Sequence, residues 1–310
     1  SISCNGGTTT VTVSATGGTA PYSGTGTFTV SAGAYSYTVT DANGCTSVTT
    51  GTVGEPTTLV ASSSAGSISC NGGTTTVTVS ATGGTAPYSG TGTFTVSAGA
   101  YSYTVTDANG CTSVTTGQVG EPTTLVASSS AGAIDCNGGT TTVTVSATGG
   151  TAPYSGTGTF TVSAGSYSYT VTDANGCTSV TTGTVGEPTT LVASSSAGSI
   201  ACNGGTTTVT VSATGGTAPY SGTGTFTVSA GAYSYTVTDA NGCTSTTSGT
   251  VGEPTTLVAS SSAGSISCNG GTTTVTVSAT GGTAPYSGTG TFTVSAGAYS
   301  YTVTDANGCT

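Results

Sequence analysis

Along the chain, apolar and polar residues alternate with a period of two. Val11, Val13 and Ala15 interleave with Thr10, Thr12 and Ser14, and Phe28 and Val30 with Thr27 and Thr29. Tyr35, Tyr37 and Val39 do the same against Ser36, Thr38 and Thr40. Alternation rich in Val, Thr and Tyr predicts strands with one buried face. Turn signals separate them at Gly17-Gly18, Ser23-Gly24, Ala32-Gly33 and Asn43-Gly44. Nothing carries the 3.6-residue period of an amphipathic helix, so the expected fold class is all-β.

The pattern itself repeats. The segment Ser1 to Gly66 returns at Ser67, Ala133, Ser199 and Ser265, giving four copies of 66 residues and a fifth that stops at Thr310. The second copy differs from the first only at Gln118, the third at Ala133, Asp135 and Ser166, and the fourth at Ala201, Thr246 and Ser248. No difference falls on a Cys, Pro, Tyr, Phe or Gly. Thr246 stands where the first copy has Val48, which predicts a site only half buried.

Short strands with turns every 8–12 residues predict one small antiparallel, Ig-like sandwich per copy, and hence a tandem array. The stretch Leu59-Val60-Ala61 opens each sandwich, and Pro56, which has no backbone donor, suits the first residue of a strand. The expected domains are therefore 1–55, lacking its first strand, then 56–121, 122–187 and 188–253, and finally 254–310, lacking its last. The chain reads as a window on a longer array or as a mature chain already stripped of its export signals.

Domains of this size bury proportionately little surface and need staples. Each copy has two cysteines, 41 residues apart. Pairing within a copy gives Cys4-Cys45, Cys70-Cys111, Cys136-Cys177, Cys202-Cys243 and Cys268-Cys309, each closing a loop that contributes about 4 kcal/mol in the chain-entropy model. The other pairing considered, Cys45 with Cys70, straps neighbouring copies but leaves Cys4 and Cys309 unmatched. With two Cys per copy and no His, disulfides are favoured over a zinc site. Paired thiols imply an oxidising compartment, which points outside the cell.

The chain has no Lys, Arg, His, Met or Trp, and ten carboxylates give a net charge of -10. Nothing is available to neutralise phosphates, so nucleic acid and anionic lipid are excluded as electrostatic partners. No apolar run reaches 18 residues, so membrane insertion is not expected. Without His or Lys, the usual nucleophile–base pairs and Schiff bases have no members, and neither an enzyme nor a cofactor is expected. Asp41 and Asn43, in Thr-Asp-Ala-Asn-Gly, and Glu55 are weak calcium candidates; the favoured reading of the Asp41–Gly44 run is a tight turn closed by its own side chains. Tyr35 and Tyr37 read as core. Tyr22, with its equivalents Tyr88, Tyr154, Tyr220 and Tyr286, follows Pro in a Gly-rich loop and is the candidate for an exposed contact, for example to surface glycans.

The runs Cys-Asn-Gly-Gly, Gly-Gly-Thr-Ala-Pro-Tyr, Ala-Gly-Ala-Tyr-Ser-Tyr-Thr-Val-Thr-Asp-Ala-Asn-Gly-Cys and Glu-Pro together resemble the SprB repeat of giant Bacteroidetes surface adhesins. That resemblance covers every copy and implies type IX secretion, a cell-surface location and an adhesive or fibrous role, including gliding motility. The expected function is an extracellular structural or adhesive fibre that self-associates through its repeats. A multivalent carbohydrate-binding array and a passive spacer stalk are the alternatives.

Overall fold

The computed structural model describes residues 1–310, with 22 strands and no helix. Two compact units form: Ser1–Ser128 with Val145–Gly158 and Tyr169–Thr181, and Ser129–Thr144 and Thr159–Ser168 with Thr182–Thr310. The first unit opens with β1 (Thr9–Val13), β2 (Gly26–Val30), β3 (Gly33–Thr40) and β4 (Thr46–Val53). It continues through β5 (Val60–Ala65), β6 (Thr75–Thr82), β7 (Gly92–Val96), β8 (Gly99–Thr106) and β9 (Thr112–Val119).

Strands β5 to β9 make one complete sandwich. One sheet has the order β5-β6-β7 and the other is the hairpin β8-β9. All three pairings are antiparallel, with Ala61 opposite Ala81, Val77 opposite Phe94 and Tyr101 opposite Gly117. The period-two pattern places Val77, Val79 and Ala81 of β6 on the same face as Phe94 and Val96 of β7, and Tyr101, Tyr103 and Val105 of β8 face them from the other sheet. Val77 and Val105 are fully buried, and Ile68 plugs the core from the loop before β6. Phe94 stacks on Tyr103 at 4.4 Å between ring centroids, joining the two sheets.

The sheets are also tied by polar bonds along β5 and β9. The Ala61 N–H donates to Ser113 Oγ, and the Ser63 hydroxyl bonds Thr115 Oγ1 at 2.8 Å. Gly117 has to be glycine because the Tyr101 ring lies where its side chain would stand.

The second unit repeats this plan. Val192–Ala197, Thr206–Thr214 and Gly224–Ser229 form a three-stranded sheet, and Gly231–Thr238 pairs with Thr244–Val251. Ile200, Val209, Val211, Val237 and Val251 make its core. In the first copy β1 pairs only with β2, and in the last the stretch after Ser295 keeps a single bridge, Ser287 to Thr304. In all five copies the Ala-Pro bond before the loop tyrosine is cis.

The differences between copies fall on exposed positions. Gln118, Ala133, Asp135, Ser166, Ala201, Thr246 and Ser248 all face solvent. Val48, expected to be half buried, is 59 % exposed. It lies on the outer face of β4 opposite Thr38, and the Thr at the same site in copy four bonds Thr236 Oγ1 instead.

A test of this core is Val105→Ala, which removes two buried methyl groups and leaves a void. Unfolding of the 56–121 sandwich should be easier by about 2 kcal/mol, measured as a shifted first transition in chemical denaturation. Val114→Ala, on the exposed face, should leave that transition in place.

Candidate functional site

Strand direction decides where each cysteine lies. From the loop that holds Cys70 the chain traverses the sandwich along β6, returns along β7, and crosses again along β8 before reaching the turn that holds Cys111. Three passes leave the two cysteines of one copy at opposite ends of the sandwich. A strand of eight residues is roughly 27 Å long at ~3.4 Å per residue, whereas a disulfide needs Cα atoms within about 7 Å. Pairing within a copy is therefore ruled out by topology.

The observed bonds are Cys4–Cys111, Cys70–Cys177, Cys136–Cys243 and Cys202–Cys309, each with Cα atoms 5.7 Å apart and 107 residues between partners. The expected Cys4-Cys45, Cys70-Cys111, Cys136-Cys177, Cys202-Cys243 and Cys268-Cys309 pairs are thus all corrected. The first cysteine of each copy bonds the second cysteine of the next. Cys45 and Cys268 are free and exposed.

Each bond crosses a joint between domains, and a compact set of polar contacts surrounds it. In the first unit, the loop Ser3–Gly6 hangs from the lower end of one domain. Its tight turn is closed by the Gly7 N–H donating to the Cys4 carbonyl. Asn5 grips the linker twice: Nδ2 donates to the Pro56 carbonyl at 3.1 Å, and Oδ1 accepts from Thr58 Oγ1 at 2.9 Å. Glu55 Oε2 accepts the Gly6 N–H at 2.6 Å.

From the other side comes the turn Asp107–Cys111, which joins β8 to β9. Asn109 Nδ2 donates across the joint to the Ser3 carbonyl at 3.1 Å and, within its own domain, to Thr85 Oγ1. The same geometry recurs in the second unit. There Asn241 reaches the Asp135 carbonyl at 3.0 Å, Asn137 the Pro188 carbonyl at 3.0 Å, and Glu187 takes the Gly138 N–H at 2.6 Å.

Asp107 holds the turn together. Only 5 % of it is exposed, and its carboxylate accepts the N–H groups of Thr85, Asn109 and Cys111, each at 2.9 Å. Burial is the largest single influence on its acidity and pushes it upward. Backbone donors from Thr85, Cys111, Asn109 and Gly110 together outweigh burial and hold it below its ordinary 3.8. At Asp41 the Thr19 N–H is the strongest influence, followed by that of Cys45, and the acidity shifts the same way. The linker is seated beside this turn. The Gly84 N–H donates to the Thr57 carbonyl, and Gly84 stands at a φ of 57° against the Asp107 carboxylate and the Leu59 side chain. A side chain at Gly84 would collide with both.

The three weak calcium candidates are accounted for by these contacts. Asp41 closes its turn, the Asn43 amide donates to Thr19 Oγ1, and Glu55 caps the neighbouring loop. No three His, Cys, Asp or Glu side chains converge anywhere. The loop tyrosines are structural as well. Tyr88 packs against the core and its hydroxyl donates to the Gly83 carbonyl at 2.6 Å. Tyr22, Tyr154, Tyr220 and Tyr286 make the equivalent bond to Gly17, Gly149, Gly215 and Gly281, and all are half buried. These rings brace the loop above the Asp turn, which replaces the exposed contact suggested by their position.

No family model and no curated protein matches the chain. Among solved structures it is similar to the crystal structure of the N-terminal eight Ig domains of Down Syndrome Cell Adhesion Molecule (DSCAM) isoform 1.30.30. The identity is 13 % over 84 % of this chain and 45 % of that one, with a TM-score of 0.25. This chain thus spans less than half of that structure.

The joint's response to pH follows from the sign of the aspartate shift. A carboxylate whose acidity is strengthened by folding contributes stability above its unfolded value, and that contribution is lost as pH falls through the folded one. The melting temperature should be flat from neutral pH down to about 4 and fall below it, read by calorimetry. Asp107→Asn should remove part of that acid sensitivity; an unchanged acid limb would show that the turns do not set it.

Proposed function

We propose that the chain is an extracellular structural or adhesive array that transmits tension through covalently locked domain joints. The observation that carries this reading is the placement of the disulfides between domains. A staple inside a domain stabilises that domain alone, whereas a staple across a joint fixes neighbours to each other and keeps them joined when a core opens. Disulfides persist in oxidising surroundings, which supports a location outside the cell. The SprB-type motifs of the sequence fit the same role at a bacterial surface, with export by type IX secretion. On this reading the protein is not an enzyme and takes no cofactor. Low charge leaves little electrostatic opposition to lateral packing, so the arrays self-associate into fibres.

The disulfides also overlap. Cys70 lies inside the loop closed by Cys4 and Cys111, and Cys136 inside the loop closed by Cys70 and Cys177. A pulled chain therefore has a short covalent route even after every core has opened, from Cys4 to Cys111, back to Cys70, across to Cys177, on to Cys202 and across to Cys309.

Single-molecule stretching between the termini tests the mechanical reading. The oxidised chain should reach about a quarter of the length it reaches after reduction. Equal lengths would overturn it. Negative-stain microscopy over a range of concentrations tests the fibre reading: ordered bundles that persist on dilution are expected, and solitary beaded threads at every concentration would leave a stalk.

A further inference from the structure

Each copy has two asparagines, and every asparagine of the chain is followed by glycine. Both kinds make contacts of the bonded joints, through the runs Cys-Asn-Gly-Gly and Asp-Ala-Asn-Gly-Cys. An asparagine before glycine is open to attack on its own side chain, because glycine has no side chain to shield its nitrogen. We infer that the joint asparagines are sites of hydrolytic deamidation that the closed joint holds inert. An opened joint converts them to aspartate and isoaspartate, with water as the reactant, and loses the groups it needs to close again.

The step is a rearrangement followed by a hydrolysis. At Asn137 the Gly138 nitrogen bonds to the side-chain carbonyl carbon, Cγ. The Cγ–Nδ2 bond breaks, and the amide group leaves as ammonia with the proton lost from the Gly138 nitrogen. Water then adds to one of the two carbonyls of the resulting succinimide ring. Opening on one side gives aspartate, and on the other isoaspartate, in which the main chain runs through the former side chain. No electrons are exchanged.

In the closed joint all three reacting groups of this pair are taken. Asn137 Nδ2 donates to the Pro188 carbonyl at 3.0 Å, and Oδ1 accepts from Thr190 Oγ1 at 2.8 Å. The Gly138 N–H donates to Glu187 Oε2 at 2.6 Å. Swinging the side chain over the Gly138 nitrogen breaks both of its hydrogen bonds, and the carboxylate opposes the negative charge that nitrogen must take on. Gly138 stands at a φ of 76°, which residues with a side chain adopt only under strain, so the turn keeps the reactive pair. Asn203 is held in the same way by Glu253, Pro254 and Thr256. From the other half of the joint, Asn241 Nδ2 donates to the Asp135 carbonyl and to Thr217 Oγ1, and the Gly242 N–H donates to the Asp239 carbonyl.

Either product spoils the half-joint that forms it. Aspartate in place of Asn137 has no donor for the Pro188 carbonyl and sets a second carboxylate beside Glu187. Isoaspartate lengthens the main chain inside the turn that presents Cys136. A joint opened briefly therefore closes again, and one left open does not. The inference goes beyond the proposed role, because it holds for a spacer stalk as well as for a fibre.

The differences between copies make a test within one molecule possible, since the peptides around Asn137 and Asn203 carry Asp135 and Ala201 and differ in mass. The full oxidised chain, wild type and Thr190→Val, is aged in mildly alkaline buffer, then reduced and cleaved with pepsin in acid. Deamidation is read from the mass gained when an amide becomes an acid. Loss of the Thr190 hydroxyl should speed the reaction at Asn137 about fivefold and leave Asn203 at its wild-type rate. Wild-type chain kept reduced during ageing should deamidate at both sites at least about tenfold faster than oxidised chain. On removal of the reductant, fresh chain should re-form Cys136–Cys243 and Cys202–Cys309, and aged chain should not. An Asn137 rate unchanged by Thr190→Val, or an oxidised chain that deamidates as fast as the reduced one, would overturn the inference. Full recovery of the disulfides after deamidation would overturn it too. Acceleration at Asn203 as well would mean that the variant loosens the chain at large, and the comparison of reduced with oxidised wild type then decides. None of these results bears on the stretching experiment, which reads the disulfides alone.

Discussion

The disulfide across each joint is the bond on which the rest of this structure depends. Each complete sandwich has five strands, a core of a few valines and aromatic pairs, and an interior edge closed by serine and threonine hydroxyls. Such a core is small for a domain of this length. Closing a loop of about 100 residues contributes roughly 4.7 kcal/mol in the chain-entropy model. Because these loops overlap, each domain between two joints is held by more than one of them. The covalent bond thus does at the joint what apolar burial does inside a domain.

A bond placed there requires its two cysteines to be presented reliably, and the joint does this with uncharged partners. The chain has no cation to pair with a carboxylate. Its turn aspartates instead collect backbone N–H groups and its glutamates cap a neighbouring loop. A carboxylate satisfied by several amide donors holds a turn without a counter-ion, and such bonds are stronger than those between neutral groups. The asparagines complete the set by donating to carbonyls on both sides of the joint.

Much of this was legible in the sequence. The alternation at Val77, Val79, Tyr101, Tyr103 and Val105 marks the buried faces, and the Gly and Asn runs mark the turns. Joint chemistry was less so. Cys4 before one strand and Cys45 after another looked like a staple inside a domain, but an odd number of antiparallel strands separates them. Counting passes rather than residues puts them at opposite ends. Tyr22 misled for a related reason: its Gly-rich loop reads as exposed, yet the glycines fold that loop back so that the ring reaches the core and its hydroxyl a backbone carbonyl. What the sequence lacked was any local sign of Asn5 and Asn109 reaching across a joint, since those contacts span 51 and 106 residues.

The few differences between copies fit this division of labour. The residue before the first cysteine is Ser3, Ser69, Asp135 and Ala201 in the four bonded joints, a polar, an acidic and an apolar side chain in one structural role. Only its carbonyl is used there, as the acceptor for an asparagine amide of the next domain, so the side chain is free to vary. By contrast, the asparagine after the cysteine uses both ends of its amide and is the same in every copy. Replacing it with Asp would remove a donor and place a second carboxylate beside Glu55. Near-identical neighbours run the risk of exchanging strands while folding. A joint whose contacts are made by fixed residues on both sides selects the sequential neighbour, because its linker and its turn must be present together for Asn5, Glu55 and Cys4 all to be satisfied.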